Sequence, residues 1–332
     1  MAAGRAGLQQ QLANSRSLEE VLEHVGRGPG PWPPLSLATA WHRLAKYSSG
    51  RSQSAEVVEA MQRLAAAQQG RALQTFTARH LANMVWAWGK LRFDHPHLLA
   101  SVCSHAPARL DEFSVHGLSN MMYALGLLQF KHEGLLHSIC SHAPRRLPEF
   151  TSQGISNAVY AMALLKFRHP GMLRAICEAV PGRLSEFKPQ ELSIVIYSVG
   201  LLRFRHAELL EASCEHAARR LQKFQAQNIS NVVYALGLLQ FRHGSLLQAA
   251  SLVSAGRLQD FTAQGLANLT YGFGLLGYRH PAFVSALCLH TPGRLSEFTP
   301  QNIANAAFGL GRMGFRASGR LQRGAGGATG SC

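Results

Sequence analysis

Six histidines recur at one point of a regular pattern: His95, His132, His169, His206, His243 and His280, each 37 residues after the last. Histidine can move protons near neutral pH or ligate a metal. A catalytic centre is normally unique, whereas this position is copied six times. The chain also has no glycine-rich phosphate loop after a strand, no HExxH and no isolated Cys/His pairing. The sequence therefore predicts a non-enzyme, with no catalytic residue, cofactor, metal or small-molecule substrate.

The cysteines keep the same period. Cys103, Cys140, Cys177, Cys214 and Cys288 share one place, which Ser251 takes once. One buried cysteine per helical layer is ordinary core filling. Layers of packed helices stand about 8–10 Å apart, too far to bridge equivalent Cα atoms. The expectation is unpaired thiols in a reducing compartment, with Cys332 outside the pattern.

Cations are periodic too. Lys131, Arg168, Arg205, Arg242, Arg279 and Arg316 precede or continue the histidine column, with Asp94 in their place in the first unit. A row of charges in a turn suits phosphate contact. The alternative is a solvated turn, with each histidine capping carbonyls of the helix before it. A second row, Arg109, Arg146, Arg183, Arg220, Arg257 and Arg294, stands three residues before Glu112, Glu149, Glu186, Lys223, Asp260 and Glu297. Arg and Glu at i, i+3 pair on a helical turn, so this row reads first as structural. Arg145-Arg146 and Arg219-Arg220-Lys223 make better basic patches. The residues expected to meet a phosphate backbone are Lys131, Arg168, Arg205, Arg242, Arg279, Arg145, Arg219 and Arg220. Lys plus Arg total 33 against 18 Asp plus Glu, a net charge of +15, which suits a polyanionic partner.

Groups able to read bases lie on one helical face. Asn83, Asn120, Asn157, Asn231, Asn268 and Asn305 share a place that Ile194 takes once. Gln153, Gln190, Gln227, Gln264 and Gln301 come four residues earlier. Trp86, Tyr123, Tyr160, Tyr197, Tyr234, Tyr271 and Phe308 come three later. Such spacings align side chains along a helix. They could offer hydrogen bonds and stacking to bases, or form a ladder between repeats with Asn tying neighbouring backbones and Tyr packed between helices. A place that varies between units is the better reader: His80, Gly117, Gly154, Glu191, Asn228, Gly265 and Asn302. Three glycines there argue against a full code. Arg92, Gln129, Lys166, Arg203, Gln240, Gly277 and Gly314 form a second varying place. The residues expected to face bases are His80, Asn83, Asn120, Asn157, Glu191, Asn228, Asn231, Asn268, Asn302 and Asn305.

What must position these side chains is a repeat. Phe76, Phe113, Phe150, Phe187, Phe224, Phe261 and Phe298 stand 37 residues apart without an insertion. An unbroken period of this length marks a solenoid. In five of the seven units Ser or Thr follows the Phe as an N-cap (Thr77, Ser114, Thr151, Thr262, Thr299). Leu118, Met121, Leu125 and Leu128 give the first helix an apolar face, and Leu135, Leu136, Ile139 and Cys140 give the second. Proline ends the second helix at Pro107, Pro144, Pro181 and Pro292. The fold class is all-α, an α-solenoid of 37-residue helix-turn-helix repeats. Residues 1–35 form an N-terminal segment with a short helix over 17–25 and a Gly/Pro linker. Residues 36–75 make a degenerate capping repeat, 76–316 six complete repeats and a half repeat, and 317–332 a disordered tail. No apolar run reaches the length of a membrane span.

The units resemble the octotricopeptide and heptatricopeptide repeats of organellar RNA-binding proteins. The segments that carry the likeness are FTAQGLANLTYGFGLLGYRHPAFVSAL (261–287), FTPQNIANAAFGLGRMGFR (298–316) and LATAWHRLAK (37–46). Similar repeats occur in FAST-kinase-domain-containing proteins and in subunits of mitochondrial RNA-editing substrate-binding complexes. The resemblance covers about residues 17–316. It implies single-stranded RNA binding in organellar RNA processing, editing, stability or translation, alongside other subunits of an RNA-processing complex. Many such proteins carry a C-terminal RAP domain; here a low-complexity tail is expected instead. The resemblance implies a mitochondrial location, with plastid as the alternative. Residues 1–16, with Arg5, Arg16 and no acid, fit the start of a presequence. The rival reading is a protein–protein scaffold, because α-solenoids bind peptides as well as RNA.

Overall fold

The structure, a computed structural model, describes residues 2–28, 32–69 and 72–315. Among the described residues there are α-helices, short 3-10 turns and no strand. Arg316, the tail 317–332 and part of the Gly/Pro linker lie outside them. The chain divides into two compact units, Met1–Leu209 and Leu210–Cys332. The architecture is an α-solenoid of helix pairs.

Unit 1 contains α1 (Ala2–Asn14), α2 (Leu18–Arg27), α3 (Pro34–Tyr47), α4 (Ala55–Gln68), α5 (Ala78–Leu91), α6 (Pro96–His105), α7 (Val115–Leu127), α8 (Glu133–His142), α9 (Ser152–Leu164), α10 (Pro170–Ala179) and α11 (Pro189–Leu201). Helix α12 (Ala207–Ala218) spans the division. Unit 2 continues with α13 (Ala226–Leu239), α14 (Gly244–Ala255), α15 (Ala263–Leu275), α16 (Pro281–His290) and α17 (Pro300–Arg312). In unit 1 the first helices stack in order α3, α5, α7, α9, α11, and α6, α8, α10 form the second layer. In unit 2 the orders are α13, α15, α17 and α14, α16.

Local sequence accounts for each pair. Thr77, Ser114, Thr151, Thr262 and Thr299 accept from the backbone N–H three residues on, as expected of N-caps. Pro189 and Pro300 take the first helical position. From α5 onward each first helix ends in a residue of positive φ, followed by an aromatic whose N–H reaches five residues back. Phe130 N donates to Leu125 O at 3.0 Å and Phe167 N to Met162 O at 2.8 Å, the paired bond of a Schellman ending.

The repeat phenylalanines are buried, Phe76 to 1% exposure and Phe298 to 8%. Leu118, Met121, Leu125, Leu135, Leu136, Ile139 and Cys140 form the core between layers. Stacking of the first helices is close enough to select small residues. A Cβ on Gly89 would lie 2.6 Å from Ala124 Cα, and one on Gly272 would lie 2.6 Å from Val233 O. Cys103, Cys140, Cys177 and Cys214 are buried and unpaired, and Cys288 is half-buried and unpaired. Burial pushes the thiols of Cys103, Cys140 and Cys177 up to about 12, so they stay protonated and inert.

Helix α1 was not foreseen. Leu8 and Leu12 are buried, and Gln9 Nε2 donates to Thr39 Oγ1 at 3.2 Å. Two leucines in a Gly/Ala/Gln-rich stretch are too few to show a face in sequence. No helix among the described residues is long and apolar enough to cross a membrane.

Candidate nucleic-acid interface

The outward face of the first helices carries the asparagine and aromatic columns. In unit 1 Asn83, Asn120 and Asn157 are half-buried on α5, α7 and α9; in unit 2 Asn231, Asn268 and Asn305 repeat this on α13, α15 and α17. The asparagine bonds seen run within a helix: Asn120 Nδ2 to His116 Nε2 at 2.9 Å, and Gln301 Nε2 to Asn305 Oδ1 at 2.9 Å. They do not tie neighbouring backbones. Gln153, Gln190, Gln227, Gln264 and Gln301 are exposed on the same face.

The aromatics do pack between repeats, yet most stay half-exposed. Tyr123 and Tyr160 have ring centroids 6.3 Å apart, Tyr234 and Tyr271 6.0 Å, and Tyr271 and Phe308 5.2 Å. A base sandwiched between two rings needs about 7 Å, twice the ~3.4 Å stacking rise. These spacings leave no such slot. Burial, and then Tyr123, raise the Tyr160 phenol above its ordinary range, so its hydroxyl remains a donor.

The varying place is corrected by the structure. It is the third residue of the first helix, and its polar side chains close a capping box. His80 Nδ1 accepts from Thr77 N at 3.3 Å, Glu191 Oε2 from Lys188 N at 3.0 Å, Asn228 Oδ1 from Gln225 N at 3.2 Å and Asn302 Oδ1 from Thr299 N at 3.2 Å. Asn228 is only 5% exposed, too buried to face a base. Gly117, Gly154 and Gly265 sit under the same cap, where a Cβ would touch the Ser114 or Thr262 hydroxyl at 3.3 Å or the Phe150 ring at 3.4 Å. The polar residues that vary there each serve a helix start. The second varying place is the left-handed ending: Arg92, Gln129, Lys166, Arg203 and Gln240 have φ of 54°, 54°, 49°, 52° and 51°.

The cations fall into two classes. Arg168, Arg205, Arg242 and Arg279 are exposed in the turns, and the Arg168 guanidinium lies 5.9 Å from the Phe204 ring. Lys131 is exposed but pairs with Glu133 at 2.8 Å. Arg145 is exposed; Arg219 pairs with Glu215 at 2.7 Å. Arg220 is corrected: it is half-buried, its Nη1 2.6 Å from His216 Nε2. Its equivalents show why. Arg109, Arg146 and Arg183 in unit 1, and Arg257 and Arg294 in unit 2, donate to the backbone carbonyl of a phenylalanine 33 residues earlier, at 3.0, 2.8, 2.7, 3.2 and 3.0 Å. Each also pairs with the acid three residues on, as the i, i+3 spacing predicts. Hydrogen bonding to Arg146 holds the Glu149 carboxyl below its ordinary range, and Arg183 does the same for Glu186. The carbonyl bond leaves no trace in the arginine's own surroundings, and sequence reasoning missed it.

The histidine column is also corrected. Five of the six do not cap the preceding helix but bond the start of the next one; His280 stands at the same helix start without a side-chain bond. Nδ1 of His95, His132, His169, His206 and His243 accepts from the N–H three residues on, at 3.1–3.4 Å. The neutral tautomer then carries its proton on Nε2. His132 and His169 turn Nε2 to Ser104 and Ser141 of the preceding repeat, each at 3.4 Å.

Among the described residues no cluster of His, Cys, Asp and Glu could hold a metal ion. A family model of the RNA-editing substrate-binding complex 6 protein matches residues 59–206 and, again, residues 181–316. Two overlapping matches are what a repeated unit produces. No curated protein matches the chain.

Proposed function

The chain belongs to the RNA-editing substrate-binding complex 6 protein family, and from that premise we propose that it binds single-stranded RNA along the outward face of its first helices. It serves as a non-catalytic subunit of an organellar RNA-processing assembly, mitochondrial rather than plastid, in editing or in mRNA stability. Its repeats are of the octotricopeptide and heptatricopeptide kind.

The observation that carries this reading is the asparagine column. An amide at one place in six of seven first helices offers a donor and an acceptor at regular steps. Exposed Arg168, Arg205, Arg242 and Arg279, with Arg145, lie in the connections at the helix ends, where a backbone's phosphates can be met. His80, Glu191, Asn228 and Asn302 support the helix starts and are set aside as readers. Asn83, Asn120, Asn157, Asn231, Asn268 and Asn305 remain.

The test is binding of the purified chain to a random single-stranded RNA pool, titrated with salt. About five phosphate contacts give a log–log slope near −3.5, at roughly −0.7 per contact. An absence of binding at about 100 mM salt overturns the proposal.

A protein-scaffold reading draws on a different observation. Leu289 is 85% exposed, with Leu295, Ile303 and Phe308 at 50%, 46% and 47%. Large exposed apolar side chains in one stretch suit a protein partner. A subunit of a complex can use both surfaces.

A further inference from the structure

Unit 1 holds a groove of about 710 Å³ over the starts of α5 and α7 and the adjoining turn of α3. Ligand sites are typically clefts of roughly 300–1,000 Å³. Its lining departs from the array at one place. The third residue after the repeat phenylalanine is glutamine in five units, but Arg79 and His116 in the two that line the groove. His42 and His80 join them there. Arg79 is exposed. Its charge bears on both histidines: burial first, and then Arg79, hold His80 below its ordinary value, and His42 is lowered by burial and then by Arg43, Lys46 and Arg79. The local potential is positive. Glu112 is the one acid lining the groove, and Arg109 neutralises it through contacts of 2.9 and 2.6 Å. Arg43 is engaged elsewhere, by the carbonyls of Ala13 and Ser15.

We infer that this groove binds the phosphate of a nucleotide, on Arg79, His80 and His116, while the Asn83 and Asn120 amides meet the attached base. The inference rests on the RNA reading above and names what one end of that face takes. His80 has its Nδ1 engaged by Thr77, which leaves Nε2–H to donate. Arg79 supplies the charge and the forked donors that phosphate recognition uses. A strand terminus and a free mononucleotide carry the same phosphate monoester, so both sources are tested.

The experiment uses the full chain and a labelled eight-nucleotide RNA carrying a 5′-phosphate, a 3′-phosphate or neither, read by fluorescence anisotropy with AMP as competitor. A terminal phosphate strengthens binding about tenfold, the worth of one hydrogen bond to a charged group. The double variant Arg79→Gln, His116→Gln restores the residue other repeats carry, so the helices persist, and the gain falls below twofold. Arg312→Gln, a charge change on α17, keeps the gain. Displacement of the strand by AMP identifies a nucleotide site; a gain with the strand alone identifies a strand-end site. Equal affinity for the three RNAs, with no AMP competition, overturns the inference. A gain that survives in the double variant overturns it as well. If no RNA binds at all, the RNA reading fails by itself. AMP titration followed by the histidine NMR signals then decides the groove: shifts at His80 and His116 support it, and unmoved signals overturn it.

Discussion

Arg146 Nη1 lies 2.8 Å from the carbonyl oxygen of Phe113, a residue 33 positions earlier, while the same guanidinium holds Glu149 at 3.0 Å. One side chain thus ties the end of one repeat to the start of the same repeat's first helix and braces itself against its own turn. The charge pair is exposed on the glutamate side and contributes little. The bond to the carbonyl is part-buried and charge-assisted.

Replacing Arg146 with alanine should therefore lower stability by about 1–2 kcal/mol, the cost of losing a hydrogen bond to a charged donor. Arg146→Lys should recover only part of this, because an ammonium cannot span both partners in the fork geometry. Urea unfolding measures both. Equal stability of wild type and Arg146→Ala would show that the carbonyl bond contributes nothing.

Lys166 adopts φ of 49° at the end of α9. A left-handed residue with a side chain costs roughly 1–2 kcal/mol, part of it offset by the greater freedom glycine has when unfolded. Lys166→Gly should raise stability by up to about 1 kcal/mol, and the reverse change, Gly277→Lys, should lower it. Opposite shifts in melting temperature are the expected result; shifts of the same sign contradict the argument.

Asn228→Ala should cost about 1 kcal/mol through loss of the capping box and leave any RNA sequence preference where it was. Asn231→Ala, three residues on and half-exposed, should do the reverse. Binding-selection profiles of the two variants separate a support from a contact.

Stability should fall as pH drops below about 6.5. Burial, then the neighbouring His137, lowers the His169 pKa below the ordinary 6.5; burial and then Arg220 and Arg219 lower His216. A depressed folded-state pKa means the unfolded chain takes up the proton first. The stabilisation is complete above 6.5 and is lost as pH falls through the folded-state value. Protonating His169 on Nδ1 also removes the acceptor for Met172 N. His169→Asn keeps a capping oxygen without the titration, so its urea midpoint should vary less between pH 7.5 and 5. An unchanged dependence would remove His169 from the account.

The array was readable because every repeat phenylalanine fills the same buried place, and a constant environment enforces a constant residue at a constant spacing. The helix caps were readable for a similar reason: Thr151 bonds its own helix, three residues away. Arg183 was half legible. Its Glu186 partner is local, but its other acceptor is a backbone carbonyl, which every residue type possesses. The capping role of Glu191 was hidden because a capping box accepts several chemistries, so helix-start tolerance looks like a code. The left-handed backbone at Lys166 was hidden because the constraint there acts on φ, not on side-chain chemistry. The groove at Arg79 and His116 was visible only as two departures from glutamine, and its shape depends on how α3, α5 and α7 stack.

The arginine-to-phenylalanine tie also restricts how such a chain can change its length. In the five ties seen, donor and acceptor stand 33 residues apart, and within each unit the first helices stack on those of the next repeat. One residue gained or lost within that interval shifts the arginine away from its carbonyl, whereas duplicating or deleting a whole 37-residue block recreates every contact at the seam. Genetic variation in this family should therefore be quantised, with gene copies differing by whole repeats and tolerating few single-residue insertions between the phenylalanine and the arginine.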